Sequence, residues 1–400
     1  MGRIVNRLAG RMALSLACLA LATGAWAAGV HLMFAPDMED FVAPAGVSPR
    51  AQALSQRYTA MWSDPAQLAA DHGEIRRSNP EWDFMGRTYL VLALANMALR
   101  DPAGQEAYLQ TIDAVIADTL AIEGQEGVYH FLMSYARARP FVEQPARSIF
   151  VDGEIALMLG ARRLVEDRED LAILHRERVA VLVDRMGRSP TLSAESYPDE
   201  CWTFCNTTAL AAIRTADALD GTDHTVLLDG WIDLARRELV DPDTGLLISS
   251  YTLDGQPLDG PEGSTLWMAA HNLMLVDPVF AEDQFRRARA ELGRSVVGFG
   301  YAREWPVSWV GPVDVDSGPT VPLLEANAGS SGLALLGAAA FDDTEYLRQL
   351  LTSLQLAGFP QPADDGGLRY GSSNHVGDAV LLYALTCGPL WERVQGEVKT

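Results

Sequence analysis

Apolar residues recur three and four positions apart along most of this chain, a spacing that places them on one face of a helix. The helical segments that this spacing predicts are Ala51–Met61, Met85–Ala98, Gln105–Leu120, Tyr129–Tyr135, Phe150–Val165, Ile173–Met186, Cys205–Leu219, Thr225–Leu239, Leu266–Leu275, Ala281–Leu292, Val321–Phe341, Glu345–Leu356 and Asp378–Val394. The alternation typical of a strand is almost absent, apart from a short run at Gly245–Tyr251 between turn signals. The pattern therefore predicts an all-α protein with a few short β segments in its loops.

The connections between the predicted helices alternate between short and long in the second half of the chain. Short links occur at 220–223, 277–278 and 342–343. The long loops, rich in Gly and Pro, are Gly187–Phe204, Asp241–Ser264, Gly293–Pro319 and Gly358–Gly377. A short link forces the two helices that it joins to run antiparallel, so all the long loops fall at one end of the stack. We therefore predict an α/α barrel, a six-hairpin toroid formed by residues 45–396, with a functional rim where the long loops meet the N-termini of the inner helices.

The first 28 residues have the form of a targeting signal. Three arginines precede the apolar run Met12–Ala25, and Ala25-Trp26-Ala27 has the small-x-small form of a cleavage site. We therefore interpret residues 1–28 as a signal peptide and the protein as exported to the periplasm. An uncleaved membrane anchor that faces the periplasm is the alternative, because apolar residues continue to Phe34 and the whole run is long enough to span a bilayer.

The composition is that of a protein with a large buried core, since 48% of the 400 residues are hydrophobic and 21% are charged. A net charge of −22 repels phosphate backbones and makes nucleic acid a poor partner. The four cysteines are too few for a disulfide framework, and the sequence has no His-x-x-x-His motif that would indicate a metal site. We expect no metal and no cofactor, and we expect the core to supply the stability.

The segment Tyr197–Thr208 carries the densest chemistry of the chain. It combines two acids, two thiols and two aromatic rings where a helix is predicted to begin on the rim, and Asp199 and Cys205 are its candidates for acid/base chemistry. A disulfide between Cys201 and Cys205 is the structural alternative, although a spacing of four leading into a helix is awkward for one. A buried, structural role explains Cys205 as well as a reactive role does.

This segment and the sequence after it resemble the linalool dehydratase/isomerase family. Members of that family have a Cys-Glu-Pro-Asp stretch a few residues before a Cys-Asn pair, followed by Leu-x-Gly-Thr-Asp-Tyr and Asp-Leu-Ile-Asp-Pro. The corresponding positions here are Asp199, Cys205, Asn206, Asp217–Asp223, Trp231–Asp233 and Leu239–Gly245. Weaker similarity covers most of the rest of the predicted domain, at Asp152–Glu154, Leu368–Tyr370 and Asp378.

The resemblance implies an α/α barrel that adds water to, or removes it from, a small monoterpene alcohol through acid/base groups and a cysteine, without a cofactor. Asp199 and Cys205 are retained from the family pattern. Ser196 stands in the place of its first cysteine, Glu154 in the place of a histidine expected to be catalytic, and Ser264 in the place of a pocket tyrosine. These departures change the groups that are available for the chemistry.

Three of the remaining acids are further candidates for the site. Asp314 and Asp316 share one short loop, where two carboxylates can divide acid and base roles if their surroundings separate their pKa values. Capping of the helix that follows explains Asp316 equally well, whereas Asp314 lies farther from that helix. Glu154 adjoins the apolar run Ile155–Leu159, where an acid needs a partner or a purpose, so we expect it to face the pocket.

Aromatic and basic side chains near the same segments complete the predicted pocket. They are Trp82, Tyr89, Trp202, Tyr251, Trp267, Tyr301, Trp305 and Tyr370, together with Arg303 and Arg369. Each aromatic residue alone is typical of a core, but rings beside several acids at loop–helix junctions favour the binding of a small organic molecule or a sugar ring. The arginines suit a carboxylate of the ligand, or they neutralise the neighbouring acids.

Three classes of function fit this sequence. The resemblance favours a cofactor-independent lyase or isomerase that acts on a small alcohol. The same barrel suits a carbohydrate-active enzyme of the glycosidase or uronate epimerase type, which would use a carboxylate pair. A non-catalytic periplasmic binding protein is the third class. In each case the partner is a small molecule, and a homo-oligomer is compatible with the sequence.

Overall fold

The computed structural model describes residues 2–313, 315 and 317–396. The α-helices of this part of the chain are α1 (Gly2–Gly29), α2 (Met38–Phe41), α3 (Pro49–Ser63), α4 (Pro65–Ser78), α5 (Pro80–Arg100), α6 (Gln105–Glu126), α7 (Ile149–Val165), α8 (Glu169–Arg188), α9 (Thr203–Asp220), α10 (Thr225–Glu238), α11 (Gly263–Leu273), α12 (Pro278–Glu291), α13 (Ala328–Ala340), α14 (Thr344–Ala357), α15 (His375–Thr386) and α16 (Pro389–Gln395). The strands are β1 (Cys201–Trp202), β2 (Ser250–Tyr251), β3 (Pro257–Asp259), β4 (Gly293–Val296), β5 (Phe299–Ala302), β6 (Thr320–Val321), β7 (Ala326–Asn327), β8 (Pro360–Pro362) and β9 (Leu368–Tyr370).

Six helices form a closed inner ring within the described residues. Helix α5 packs against α7, α7 against α9, α9 against α11, α11 against α13 and α13 against α15, and α15 closes the ring on α5. On the outside, α6, α8, α12 and α14 each pack against the inner helix that precedes them, and α3 packs against α15 and α6. The prediction of a six-hairpin α/α barrel is therefore confirmed, and its core lies between the two rings.

The sequence marks where several helices begin. At the start of α5, the Asn79 side chain accepts hydrogen bonds from the backbone N–H groups of Glu81 and Trp82, at 2.9 and 3.1 Å. Pro80 occupies the first helical position, where its missing N–H costs nothing. The same pairing of a capping side chain with a following proline occurs at Ser48, Asp64 and Asp277.

The long loops meet at the end of the barrel where the inner helices begin. The sheet β1-β2-β3 joins the loop before α9 to the loop before α11. The Gly263 N–H donates a 2.7 Å hydrogen bond to the Glu304 carbonyl, which joins the loop before α11 to the loop before α13. The loop before α15 reaches the same end, because His375 Nε2 lies 4.0 Å from Asp83 Oδ1 in the first turn of α5. This arrangement forms the predicted rim.

Three predicted helical segments differ in the structure. The segment Tyr129–Tyr135 contains 3-10 turns instead of a regular helix. The predicted helix Val321–Phe341 begins only at Ala328, because the Asn327 side chain caps the Ser330 N–H at 2.7 Å. The predicted helix Asp378–Val394 is two helices, since Gly388 adopts φ +124° and breaks the run before Pro389.

Strands are more numerous than the sequence pattern predicts. In the predicted run Gly245–Tyr251 only Ser250–Tyr251 belongs to a strand. The hairpin β4–β5 was not predicted, although Val297 and Gly298 at its turn both adopt positive φ, of +50° and +83°. A two-residue turn with positive φ at both positions matches the right-handed twist of the strands that it joins.

The N-terminal helix α1 stands apart from the barrel. Its side chains from Gly10 to Trp26 are exposed. The residues after it return to the barrel, where the rings of Phe34 and Phe299 lie 6.3 Å apart. No helix of the described residues meets both the length and the apolarity needed to cross a membrane. The interpretation of residues 1–28 as a signal peptide or an anchor stays a prediction.

Candidate functional site

A cavity of about 470 Å³ opens at the rim, between the first turns of α5, α7, α9 and α11. Its lining consists of Ser78, Asn79, Glu81, Trp82, Met85, Met133, Tyr135, Phe150, Tyr197, Trp202, Phe204, Cys205, Ser264, Thr265 and Ser317. None of these described residues is a lysine, an arginine or a histidine. The lining therefore offers aromatic surface, hydroxyl groups, a thiol and one carboxylate, which suits an uncharged small molecule better than an anion.

A larger cavity of about 850 Å³ lies at the opposite end of the barrel, where the inner helices end. The acids in its lining include Glu39, Glu345 and Glu392, which are exposed. Groups poised for proton transfer are usually buried, and these carboxylates are exposed. The buried His271 also lines this larger cavity. We place the candidate site at the rim because the buried acid Glu154 lies there near Tyr89 and Cys205.

Glu154 lies in α7 one helical turn beyond Phe150, so it points to the same face at a deeper level of the barrel. Its side chain is 2% exposed, and its Oε2 has no hydrogen-bond partner among the described residues. Burial raises the pKa of Glu154 to about 8, and the Thr88 hydroxyl opposes this shift only in part. At neutral pH the group therefore carries a proton below the floor of the cavity.

Tyr89 is the counterpart of Glu154 on the neighbouring helix. It lies in α5 one turn beyond Met85, a cavity residue, and it is 2% exposed. Its hydroxyl has no hydrogen-bond partner among the described atoms. Burial raises the pKa of Tyr89 well above its usual value, and the nearby Glu154 and Cys205 raise it further. The phenol is thus a neutral hydrogen-bond donor beside a protonated acid.

Cys205 lies in the first turn of α9 and its thiol reaches the cavity. Burial raises the pKa of the Cys205 thiol well above its usual value, although a hydrogen bond with Ser196 opposes the shift. The negative charges of Glu81 and Glu154 would raise the pKa further. The residue is therefore a thiol rather than a thiolate at neutral pH, which makes it a neutral hydrogen-bond donor and a poor nucleophile. The structure contains no disulfide, and all four cysteines are free.

Glu81 and Tyr197 belong to the cavity but were not among the predicted site residues. The Tyr197 hydroxyl donates a hydrogen bond to Glu81 Oε1 and accepts one from the Met133 N–H at 2.8 Å. The ring of Tyr135 stacks on that of Tyr197, with centroids 4.5 Å apart. The helix dipole alone favours an acid in the first turn of a helix, so nothing in the sequence pattern indicates that Glu81 faces a cavity.

Ser264 is the other polar anchor of the lining. Its hydroxyl and its N–H both donate to Glu304 Oε1, the N–H at 3.2 Å. Glu304 is 3% exposed and lies in the loop that follows β5. At the position where the family has a pocket tyrosine, this chain therefore has a serine that is hydrogen-bonded to a buried carboxylate.

The structure brings together five of the residues predicted for the site. Trp82, Trp202 and Cys205 line the cavity. Tyr89 and Glu154 are not in its lining, but each lies one helical turn beyond a residue that is, Met85 or Phe150. Asp314 and Asp316 lie outside the described residues.

Asp199 lies in the rim but not on the cavity wall. It adopts φ +53°, donates its N–H to Glu195 Oε1 at 2.7 Å and accepts the Leu253 N–H at 3.2 Å. The bond from Leu253 ties the loop before α9 to the loop before α11, and the bond to Glu195 holds the loop before α9 in shape. In this structure Asp199 holds two loops together.

The remaining predicted residues lie elsewhere, and several make structural contacts. Tyr251 is buried and its hydroxyl shares a 2.8 Å hydrogen bond with Ser193. Trp267 faces outward from the inner ring, packs against Phe285 and donates its Nε1 proton to Ser330 at 3.1 Å.

The last group belongs to the loops before α13 and α15. Arg303 pairs with Glu325, and the ring of Trp305 stacks on Trp309 with centroids 5.6 Å apart. Tyr301 lies in β5, where its carbonyl accepts the Tyr346 hydroxyl proton at 2.7 Å. Arg369 and Tyr370 lie in β9 and line a separate cavity of about 240 Å³.

Comparison with known proteins identifies both a family and a fold. The family model described as linalool dehydratase/isomerase matches residues 170–376. Among solved structures, a UGL variant with dGlcA-Glc-Rha-Glc is 15% identical, with a TM-score of 0.50 over 77% of this chain and 86% of that chain. Unsaturated glucuronyl hydrolase from Bacillus sp. GL1 is 14% identical, with a TM-score of 0.49 over 77% and 86%. At 15% identity, the likeness to the UGL variant shows a shared fold alone.

Proposed function

Because this chain belongs to the linalool dehydratase/isomerase family, whose model matches residues 170–376 of its 400, we propose that it is a cofactor-independent lyase or isomerase acting on a small alcohol. The reaction takes place in the cavity at the rim, by acid/base chemistry. The observation that carries this proposal is a buried acid, Glu154, with a pKa of about 8 beneath a cavity lined by aromatic and apolar side chains.

A protonated carboxyl group is the reagent that removal of water requires. Hydroxide is a poor leaving group, so the C–O bond breaks only if the oxygen receives a proton as it departs. Glu154 gives its proton to that oxygen, the bonding electrons leave with it as water, and a carbocation-like centre remains. The carboxylate so formed then takes a proton from the neighbouring carbon, which leaves a double bond and restores the acid. Addition of water follows the same steps in reverse.

The neighbouring donors orient the hydroxyl. Tyr89 and Cys205 are both neutral at physiological pH, since burial raises the pKa of each. Each therefore offers a proton to the lone pairs of the substrate oxygen without adding a charge. An uncharged set of donors is suited to holding an alcohol in a cavity that binds no anion.

The walls suit the hydrocarbon part of such a substrate. Trp82, Met85, Phe150, Trp202 and Phe204 present apolar surface on several sides of the cavity. These side chains exclude water from the reacting carbon atoms, and the aromatic rings among them stabilise a developing positive charge by cation–π attraction. A volume of about 470 Å³ is in the range of small-molecule sites.

The test is turnover of a panel of alcohols by the purified protein and by two variants. Linalool, shorter tertiary alcohols and their dehydrated products are incubated with each protein, and the products are identified by gas chromatography with mass spectrometry. We expect Glu154→Gln to lose at least about a hundredfold in turnover, the typical contribution of a general acid. The control is Glu177→Gln, a change of an exposed acid on α8 that should keep full activity.

Two outcomes contradict the proposal. Undiminished turnover by Glu154→Gln would remove that residue from the mechanism. No conversion of any alcohol, together with cleavage or epimerisation of an oligosaccharide in a parallel panel, would favour the carbohydrate-active alternative instead.

We further propose that residues 1–28 carry the chain out of the cytoplasm. The exposure of α1 from Gly10 to Trp26 supports this, because that segment adds little to the core of the barrel. A tagged full-length chain, expressed in a Gram-negative host and fractionated, gives a clear test. A periplasmic protein whose mass shows that the first 27 or 28 residues have been removed indicates a signal peptide. An intact chain in the membrane fraction indicates an anchor. An intact chain in the cytoplasm contradicts both.

A further inference from the structure

Three side chains from different helices converge next to the candidate site, on the other face of α5. His72 comes from α4, Asp83 from the first turn of α5 and His375 from the first turn of α15. One ligand-type atom from each residue lies within 4.8 Å of the other two. All three residues are buried, with exposed fractions of 7%, 1% and 6%. We propose that they bind a divalent transition-metal ion such as zinc.

The histidines have unused ring nitrogens. Nε2 of His375, the nitrogen that faces Asp83, is buried without a hydrogen-bond partner among the described residues, and so is Nε2 of His72. In His72 it is the other nitrogen, Nδ1, that contacts Asp83. Buried polar atoms are normally paired, and those that are not call for an explanation such as an ion or a water molecule. The centroids of the two imidazole rings lie 4.9 Å apart, and one ligand-type atom of each ring lies within 4.8 Å of the other, so one ion can reach both after small side-chain rotations.

Two imidazoles and a carboxylate are a ligand set of the type that zinc prefers. Zinc sites with three protein ligands and one further position use histidine and carboxylate ligands at about 2.0–2.2 Å. Here His72 Nδ1 contacts Asp83 Oδ1 directly, and His375 Nε2 lies 4.0 Å from the same oxygen. Ligands of a tetrahedral ion lie roughly 3.3 Å apart, so small rotations of these side chains create the site.

The surrounding charges are compatible with a cation. Arg87 is the nearest positive group, with Nη2 3.3 Å from His72 Nδ1. Its other guanidinium nitrogen Nη1 is already paired with Asp118 at 2.6 Å and bonded to Thr119 at 3.1 Å, which balances its charge and draws it toward α6. Arg87 Nε also lies 3.8 Å from Asp83 Oδ2, so Arg87 divides its charge between Asp118 and Asp83. Asp83 Oδ1, on the side of the two histidines, remains as the oxygen that would bind the ion.

An entry path reaches the cluster from the surface. His375 lines the cavity of about 240 Å³ that also contains Asp71, Glu74 and Asn374. The same lining contains Arg57 and Arg369, whose charges the two carboxylates offset, so a hydrated cation meets no net positive charge on this path.

The location defines what the ion would do. Helix α15 packs against α5 where the inner ring closes, and the three ligands bridge this seam to α4. Asp83 is also adjacent in sequence to Trp82, which lines the catalytic cavity. Bound metal would therefore lock the closure of the barrel and fix the wall of the cavity, without taking part in the proposed reaction.

The experiment uses the full chain after removal of metal by dialysis against a chelator. Zinc is added in a calorimetric titration and cobalt in a titration followed by visible absorption. We expect one equivalent of either metal per chain, the intense d–d bands of tetrahedral cobalt, and a rise in melting temperature with zinc. His375→Ala and Asp83→Asn should lose all three signals. If alanine prevents folding, His72→Gln removes one ligand while keeping a polar contact to Asp83.

The matched control is His224→Ala. His224 also bonds a carboxylate, through Nδ1 and Asp217 at 2.6 Å, but it lies in the short link after α9, at the other end of the barrel. This variant should bind metal like the unchanged protein. Absence of stoichiometric binding to the unchanged protein overturns the proposal, and so does binding that persists in both His375→Ala and His72→Gln. Loss of binding in His224→Ala would also overturn it, because the site would then lie elsewhere.

Discussion

The Tyr197 hydroxyl donates a hydrogen bond to Glu81 across the mouth of the cavity, and it ties the loop before α9 to the first turn of α5. The same oxygen accepts the Met133 N–H at 2.8 Å, so one phenol joins three segments of the rim. Burial and the adjacent Glu81 raise the pKa of Tyr197 well above its usual value, which keeps the hydroxyl a donor at all physiological pH values.

We predict that Tyr197→Phe lowers the free energy of unfolding by about 1–3 kcal/mol, because it removes the hydrogen bonds that the phenol makes with Glu81 Oε1 and with the Met133 N–H. Urea unfolding measures the change. Tyr135→Phe is the control, since its hydroxyl contacts Glu200 at a longer 3.3 Å in an exposed position while its ring still stacks on Tyr197. A loss of stability for Tyr135→Phe as large as for Tyr197→Phe would contradict the assigned role.

Glu154 makes stability depend on pH in a predictable direction. Its pKa in the folded protein is about 8, compared with 4.5 for a solvated glutamate, so the folded state holds the proton more tightly. The contribution of Glu154 to the free energy of unfolding through this proton is fully present below about pH 4.5 and is lost as the pH rises through about 8. We therefore expect the unfolding free energy of the unchanged protein to fall relative to that of Glu154→Gln, by about 1.4 kcal/mol per pH unit within this window.

Urea unfolding of both proteins at pH values from about 5 to 9 tests this expectation. Glu177→Gln, which changes an exposed acid, should follow the unchanged protein throughout. If the unfolding free energies of the unchanged protein and of Glu154→Gln varied with pH in parallel, the Glu154 carboxyl group would be ionised in the folded state. Glu154 could then not be the proposed proton donor.

The thiols provide a second test of the buried site. Burial raises the pKa values of Cys201 and Cys205 well above the usual range and that of Cys387 to about 12. Since only a thiolate is alkylated at a useful rate, we predict that iodoacetamide at neutral pH modifies none of these three in the native protein and all three after denaturation. Peptide mass mapping measures the modification. Fast alkylation of native Cys205 would indicate an exposed or ionised thiol.

Turnover of the Cys205 variants separates a proton donor from a packing residue. We expect Cys205→Ala to reduce turnover by about tenfold or more, and Cys205→Ser to retain more activity, because serine restores a donor of similar size. Cys387→Ala is the control, since Cys387 lies at the opposite end of the barrel. Equal losses for Cys205→Ala and Cys205→Ser would indicate that the thiol acts only through its shape.

The architecture could be predicted from the sequence because both of its determinants are local. Helical periodicity and the alternation of short and long connections are visible within windows of a few dozen residues, and together they fix an inner ring with its loops at one end. Cys205 and Trp202 were predicted as site residues for the same reason. They belong to a segment rich in acids, thiols and aromatic rings at the start of an inner helix, and such a segment lies on that rim.

The rest of the site depends on which way each side chain faces once the ring has closed. Trp267 follows Ser264 by one turn of α11, yet it points outward to Phe285 whereas Ser264 faces the cavity. From the sequence alone, Glu81 is predicted only as an acid in the first turn of α5. It becomes a neighbour of Cys205 because the folded chain brings the start of α9 close to the start of α5. The cluster of His72, Asp83 and His375 is likewise visible only when α15 meets α5.

The junction between α11 and the loop before α13 supports the cavity through a close approach of backbone at Gly263. A Cβ atom at this position would lie 2.1 Å from Ser330 Oγ and 2.7 Å from the Arg303 carbonyl oxygen. Both distances are shorter than a van der Waals contact, and the carbonyl cannot move without displacing the strand beside it. Gly332 in α13 has no atom within 4 Å of the corresponding position.

We therefore predict opposite effects of the same substitution at the two glycines. Gly263→Ala should lower the free energy of unfolding by about 1–3 kcal/mol, the usual cost of an added methyl group in a packed site. It should also weaken ligand binding, because α11 must shift and carries Ser264 with it. Gly332→Ala should raise stability by about 0.5–1 kcal/mol, since alanine is the better helix former and meets no obstacle. Urea unfolding of the two variants measures both changes in stability. If Gly263→Ala were as stable as Gly332→Ala, α11 and the loop after β5 would not lie as close together as the structure shows.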